Sequence, residues 1–138
     1  CKHNAGAHSL ARMRDSDDIV ETTIRTMTLD EMDPSVRNVR FIHVDTEGHD
    51  IKVLQGGRDF VKRQKALPFI QIEFCPYTLQ QHDSNVAELI SFMDEFGYEA
   101  HMNCTNVLGK LSRHTLREMF YLWAKDTAML DLILVPCR

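Results

Sequence analysis

Apolar residues follow two different periods along the chain, and these periods predict strands and helices. Short apolar or alternating runs, rich in β-branched and aromatic residues, predict strands over residues 19–27, 41–44, 69–75, 98–105 and 130–135. Pro76 is expected to end the third of these strands, because proline interrupts a central strand. Residues 1–18 are polar and have no periodic apolar face, so we expect a loop there.

Between the predicted strands, apolar residues recur at helical spacing. Three helices are predicted, over residues 51–65, 84–96 and 112–124. Gly56-Gly57 is a weak point inside the first helix, and Ser84 is placed to cap the second. A short helix should also begin after Thr28 and end at Pro34. Strands that alternate with helices predict one α/β domain with a mostly parallel sheet and helices on both faces.

Composition restricts the classes of function that the chain can serve. Its net charge is -4 and its basic residues are scattered, which disfavours binding to nucleic acid or to an anionic membrane. No apolar run reaches the roughly 18 to 20 residues of a membrane-spanning helix. The four cysteines lack the spacing of a zinc site or of a disulfide framework, which predicts reduced thiols in the cytoplasm. The chain begins with Cys1 rather than methionine, so we expect further natural sequence upstream.

The stretch FIHVDTEGHD, residues 41–50, concentrates side chains that can take part in catalysis or binding directly behind an apolar run. Ligands of open parallel sheets bind at the carboxyl ends of the strands, and Asp45 and Glu47 fall at such an end. If the segment stays extended to Glu47, then His43, Asp45 and Glu47 share one side of the strand. Glu73 lies near the end of the next strand. We therefore expect three carboxylates to converge in one crevice.

Carboxylates that approach one another raise the pKa of at least one of them, and such a group can accept a proton. Two other interpretations remain open. Asp45 and Glu47 would be structural if they only capped the helix that follows Gly48. The cluster of His43, Asp45, Glu47, His49 and Asp50 also offers oxygen and imidazole ligands to a divalent metal ion, although its spacing matches no zinc signature.

Other histidines stand apart from this cluster in the sequence. His82, His101 and His114 have no neighbouring partner that would suggest a site. We expect them to be surface or packing residues.

The order of several motifs resembles the FkbM-type S-adenosylmethionine-dependent methyltransferases. The chain contains TLDEM from Thr28, then FIHVDTEGHDIKVLQGG ending at Gly57, then PFIQIE ending at Glu73. That family carries a T-L-D element, a strand ending in D-x-E-G, a V-L-x-G segment and a P-x-I-x-x-E strand, in this order. The stretch NAGAHSL from Asn4 also resembles the family's N-x-G-x-x-S-L segment.

The resemblance implies strands four to seven of a Rossmann-like methyltransferase sheet, whose first half would lie upstream. Asp45, Glu47 and Glu73 would be the active-site carboxylates, with Asp45 or Glu47 accepting the proton. The residues expected to contact the substrate are His43, Gly48, His49 and Asp50. His49 replaces the small residue usual in the family.

S-adenosylmethionine is the cofactor that the resemblance implies, and a small molecule with a hydroxyl group is the implied methyl acceptor. The family's glycine-rich loop and its ribose-binding acidic residue have no counterpart in these 138 residues. We therefore expect this chain alone to bind the cofactor weakly or not at all.

Two alternatives from other classes accompany this interpretation. The chain would be a non-catalytic module if it paired with a second copy through a sheet edge left open, because exposed edges invite pairing. It would be a metal-dependent hydrolase if the side chains from His43 to Asp50 held a metal ion.

Overall fold

The computed structural model describes residues 23–104 and 107–137, which form a five-stranded sheet with helices. The strands are β1 (Phe41–Val44), β2 (Phe69–Phe74), β3 (Tyr98–Cys104), β4 (Val107–Leu111) and β5 (Leu130–Pro136). The α-helices are α1 (Asp50–Gln55), α2 (Arg58–Lys62), α3 (Pro76–Gln81), α4 (Val86–Phe96) and α5 (Arg113–Leu122), and a 3₁₀ helix spans Leu29–Glu31. No helix in these residues is long and apolar enough to cross a membrane.

The α/β class is confirmed, but the expectation of a mostly parallel sheet is wrong. The strand order is β1-β2-β5-β3-β4, and β1 with β2 is the one parallel pair in the described residues. The cause is β4, a strand that the sequence pattern did not reveal. It forms a hairpin with β3, which reverses the chain, so that β5 returns between β2 and β3 antiparallel to both.

One face of the sheet carries the hydrophobic core. In β2, Ile70, Ile72 and Phe74 are fully buried, while Phe69 on the opposite face is 48% exposed. Helix α4 contacts α1 and α5, and α5 also contacts α3. Such contacts are expected when right-handed crossovers place these helices on the same side of the sheet. The expectation of helices on both faces is therefore wrong for the described residues.

Strands β1 and β4 border the sheet in the part of the chain that the structure describes. Phe41 on β1 is 52% exposed. Pairing of two copies through such an edge stays a prediction.

Several helix and strand boundaries differ from the expected ones for local reasons. The helix expected over residues 51–65 is divided into α1 and α2 at Gly56-Gly57, the weak point noted in the sequence. Pro76 ends β2 as predicted but also begins α3, because proline fits the first helical position. The cap of α4 is Asn85, whose side chain accepts a hydrogen bond from Ala87 N, rather than Ser84.

At the N-terminal side the described residues agree only in part with expectation. A short helix after Thr28 is confirmed, with a capping box between Thr28 and Glu31, but it is a 3₁₀ helix that ends at Glu31 and not at Pro34. Residues 23–27 form no strand, so that part of the strand expected over residues 19–27 is wrong. The rest of it, and the loop expected over residues 1–18, lie outside the described residues.

The Thr28–Asp30 segment lies directly on the glycine pair that separates α1 from α2. A Cβ atom on Gly57 would stand 2.8 Å from Leu29 Cδ1, and one on Gly56 would stand 3.1 Å from Thr28 Cγ2. The Asp30 backbone N–H also donates to the Gly56 carbonyl at 2.9 Å. Two motifs that are far apart in the sequence therefore form one contact.

Asp30 supplies a helix cap from outside the helix. Gly57 is the N-cap of α2 and has no side chain to offer. The Asp30 carboxylate takes this role, since its Oδ1 accepts a hydrogen bond from Phe60 N at 2.6 Å. The T-L-D element thus has a structural explanation that needs no ligand.

We predict that Asp30→Ala lowers the free energy of unfolding by about 1 kcal/mol, the usual loss when a side-chain helix cap is removed. Asp30→Asn keeps an oxygen acceptor and should retain most of the stability. Urea denaturation of both variants measures the difference, with Asp59→Ala, an exposed carboxylate of the same helix turn, as the control. Equal losses in Asp30→Ala and Asp59→Ala would contradict the capping role.

Candidate active site

The parallel pairing of β1 and β2 brings two carboxylates to the same edge of the sheet. The last pair in register is Val44 with Ile72, and the next residues along the two strands are Asp45 and Glu73. On the other side of β2, Glu73 is paired with Asp131 of β5. Glu73 therefore lies between acidic residues of both neighbouring strands.

Glu47 reaches this edge through a turn, and not along an extended strand as the sequence suggested. Strand β1 ends at Val44, and the backbone of Glu47 has a φ of 52°. Gly48 follows with a φ of 102°. The alternation that would have placed His43, Asp45 and Glu47 on one side therefore stops after Asp45, and that geometric expectation is wrong for Glu47.

The electrostatics of the edge centre on Glu73. Its pKa is raised to about 7, first by burial and then by repulsion from Glu47, Asp50, Asp45 and Asp131. The three carboxylates expected to converge, Asp45, Glu47 and Glu73, thus interact. At neutral pH the Glu73 carboxyl is distributed between its protonated and ionised forms.

Asp50 is the fully buried carboxylate of the group and holds the turn together. Its Oδ2 accepts hydrogen bonds from Thr46 Oγ1 at 3.2 Å and from Gly48 N at 3.3 Å. Burial raises the pKa of Asp50, and these hydrogen bonds oppose the rise. This geometry gives Asp50 a structural function in the turn, beside the predicted contact with substrate.

The two histidines of the FIHVDTEGHD stretch lie in different surroundings. His43 is exposed on β1, in register with Gln71 of β2. His49 is the N-cap residue of α1, and its ring centroid is 3.9 Å from that of His82. His49 therefore faces the end of α3, where His82 is the C-cap residue.

His82 is the site neighbour that the sequence did not reveal. It is 8% exposed at the C-terminal end of α3. Of the two expectations for His82, a surface or a packing residue, the second is confirmed. A Cβ atom on Gly48 would lie 2.5 Å from His82 Cδ2 and 2.8 Å from the Thr78 carbonyl oxygen. The requirement for glycine at position 48 therefore reflects the approach of another element to the turn.

The two competing interpretations of the cluster receive no support from the geometry. No side-chain hydrogen bond caps α1 at its N-terminus, so Asp45 and Glu47 do not serve as its caps. Among residues 23–104 and 107–137, no three His, Cys, Asp or Glu side chains are grouped so that they could hold a metal ion. A metal-dependent hydrolase therefore lacks a ligand set in the described part of the chain.

A comparison with protein families confirms the resemblance seen in the sequence motifs. The family model described as the methyltransferase FkbM domain matches residues 2–100, a range that includes the carboxylates at positions 45, 47, 50 and 73. No curated protein matches the chain, and no solved structure matches it. Because the family model covers most of the sequence, the chain belongs to the methyltransferase FkbM domain family, and methyl transfer is the general activity that this membership indicates.

Proposed function

We propose that this chain carries the acceptor side of an S-adenosylmethionine-dependent methyltransferase that methylates a hydroxyl group of a small molecule. The observation that carries the proposal is the position of Glu73 among Glu47, Asp50, Asp45 and Asp131, with a pKa of about 7. Family membership gives the reaction class, and this carboxylate gives a place for the proton that a hydroxyl must lose.

Glu73 fits the task of proton acceptor because its pKa lies close to neutral pH. A general base works best when it is ionised at the working pH and still binds a proton strongly. The sequence pattern assigned this task to Asp45 or Glu47. In our proposal their negative charges instead help to raise the pKa of Glu73. As the acceptor oxygen gains the methyl group, its proton passes to the Glu73 carboxylate.

The sheet edge that carries Asp45, Glu47 and Glu73 fits one part of S-adenosylmethionine. When bound, that cofactor supplies a methyl group on a positively charged sulfonium, and nearby carboxylates stabilise a cation. Asp45 and Glu47 are the residues that would face this charge. A glycine-rich loop and a ribose-binding carboxylate are not found in the sequence, so we propose that cofactor binding requires residues beyond these 138.

The edge would also hold the acceptor in place. Methyl transfer requires that the accepting oxygen and the methyl carbon stay aligned, and a rigid site supplies this alignment. Asp50 fixes the turn that carries Glu47 and Gly48, while the pairing of Glu73 with Asp131 of β5 fixes Glu73. We propose a cytoplasmic setting, which is supported by Cys75, a buried free thiol.

The first prediction concerns the reaction itself. In the full-length protein, Glu73→Gln should lower methyl transfer by a factor of about 10² to 10⁴, the usual contribution of a general base. The kcat/KM of the unsubstituted enzyme should rise with pH through about 7, as Glu73 ionises. Turnover measured across pH checks both statements, with Glu118→Gln on the exposed side of α5 as the matched control.

The same assay separates the proposed chemistry from its alternatives. Asp45→Asn and Glu47→Gln should move the midpoint of the pH profile downward, because each removes a charge that raises the pKa of Glu73. A chelator should leave turnover unchanged. Loss of activity on chelation with rescue by added metal would favour the metal enzyme, and full activity in Glu73→Gln would refute the proposed base.

A second prediction tests the Glu73 carboxyl without substrate. Its folded-state pKa is about 7, above the ordinary value of 4.5, so its contribution to stability is present below pH 4.5 and is lost as the pH rises to about 7. Glu73→Gln removes this loss. The free energy of unfolding of the variant, relative to that of the unsubstituted chain, should rise by about 1 to 2 kcal/mol between pH 4 and pH 8, after screening by solvent.

Urea denaturation of both proteins at several pH values measures this difference. The pKa values of His49 and His82 are lowered, so their contributions change with pH in the opposite direction, but they are common to both proteins. A difference in stability that does not change between pH 4 and pH 8 would show that Glu73 has no raised pKa.

A non-catalytic interaction module is the second candidate, and the half-exposed Phe41 on the border strand β1 favours it. If two copies pair through this edge, sedimentation velocity should show a dimer whose population falls in Phe41→Lys, since a charge on an edge strand opposes pairing. Phe69→Lys, on the next strand, is the control. A monomer at all concentrations would remove the support for this candidate.

A further inference from the structure

The Glu47–Gly48 turn has a backbone conformation that its own residues do not favour. Glu47 has a φ of 52°, a left-handed conformation that costs an ordinary residue about 1 kcal/mol or more. Gly48, at 102°, tolerates its conformation because it has no Cβ atom. Contacts from elsewhere in the fold must therefore hold the Glu47 carboxylate where it can repel Glu73.

Asp50 holds this turn from the side of α1. Its buried Oδ2 accepts hydrogen bonds from Thr46 Oγ1 and from Gly48 N. One bond holds the Thr46 side chain and the other holds the Gly48 backbone, the residues on either side of Glu47 in the sequence. Gly48 also faces α3, because a Cβ atom on it would lie 2.8 Å from the Thr78 carbonyl oxygen.

His82 packs against the turn at Gly48. Its imidazole Cδ2 would lie 2.5 Å from a Cβ atom on Gly48, so the ring occupies the space that a side chain would need. The ring also lies 3.9 Å from the His49 ring, measured between centroids, and His82 is 8% exposed. The imidazole is therefore enclosed between the turn, the start of α1 and its own helix.

The charges around the two rings favour a neutral, closely packed pair. Burial and then the positive charge of Lys52 lower the pKa of His82, while the Asp83 carboxylate and the nearby Glu47 backbone oppose the fall. Burial, His82 and Lys52 lower the pKa of His49. Two neutral rings can stay in contact without repulsion, and the contact of His82 with Gly48 lies next to Glu47, the residue with the unfavourable backbone conformation.

We propose that His82 is a positioning residue of the site: its imidazole braces the Glu47–Gly48 turn from α3 and thereby holds the Glu47 carboxylate beside Glu73. Its importance for methyl transfer rests on the proposed function, whereas the brace itself does not. His82 needs no contact with substrate in this arrangement. It acts through Glu47, so its effect must disappear when the Glu47 charge is absent.

The test follows the titration of Glu73 by ¹³C-detected NMR, which needs neither cofactor nor acceptor. In His82→Ala the released turn should let Glu47 move away, so that the Glu73 midpoint falls from about 7 by about one pKa unit. His82→Gln, whose longer side chain can still pack against Gly48, should keep the midpoint within a few tenths of a unit. His114→Ala, an exposed histidine on α5, is the matched control.

A double-mutant cycle separates a brace that acts through Glu47 from a simple change in burial. Glu47→Gln alone should lower the Glu73 midpoint, and adding His82→Ala to it should produce no further fall. Additive shifts, or a midpoint that stays near 7 in folded His82→Ala, would overturn the proposal. If His82→Ala does not fold, the shorter amide of His82→Asn is measured in its place, alone and with Glu47→Gln, and the same two results decide.

Methyl-transfer assays distinguish this proposal from the proposed function. If His82→Ala lowers the Glu73 midpoint but the protein transfers no methyl group under any condition, the brace is correct and the proposed reaction is wrong. If transfer depends on Glu73 but the midpoint is insensitive to His82, the reaction stands and the brace is wrong.

Discussion

Repulsion among carboxylates at one sheet edge is the constraint on which the site depends. The parallel pairing of β1 with β2 places Asp45 next to Glu73, and the antiparallel pairing of β5 adds Asp131 on the other side. The opposite face of the same strands buries Ile70 and Ile72 completely. Burial of these apolar side chains, worth roughly 1.5 to 3 kcal/mol each, keeps the strands paired against the repulsion. Because the carboxylates stay close together, burial and their mutual repulsion raise the pKa of Glu73.

A second constraint is the left-handed turn that brings Glu47 to the same edge. Strained backbone of this kind persists where the surrounding structure holds it, and here Asp50 and His82 both contact the turn at Gly48. The FIHVDTEGHD stretch thus contains two kinds of acidic residue. Asp50 is buried and bound to the backbone, whereas Asp45 and Glu47 act on Glu73 through their charges. The stretch holds so many carboxylates because it both builds the turn and charges the edge.

Local patterns in the sequence were sufficient for most elements, and they placed Asp45 and Glu73 at the ends of the neighbouring strands β1 and β2. They failed where contacts from distant residues decide the structure. Strand β4 has only five residues, and its pairing with β3 reversed the chain and made most of the sheet antiparallel. His82 had no partner in the sequence because its partners, Gly48 and His49, lie more than thirty positions earlier. The requirement for glycine at position 48, which reflects this contact, is visible only in the structure.

The motifs that relate this chain to its family combine structural and chemical residues. Asp30 caps α2, and Gly56-Gly57 makes room for the segment that carries Asp30, so these motifs explain packing without any ligand. The proposed chemistry depends on the carboxylates near Glu73. The T-L-D and G-G contacts lie apart from those carboxylates in the sequence, so the packing that they explain does not depend on the proposed proton acceptor.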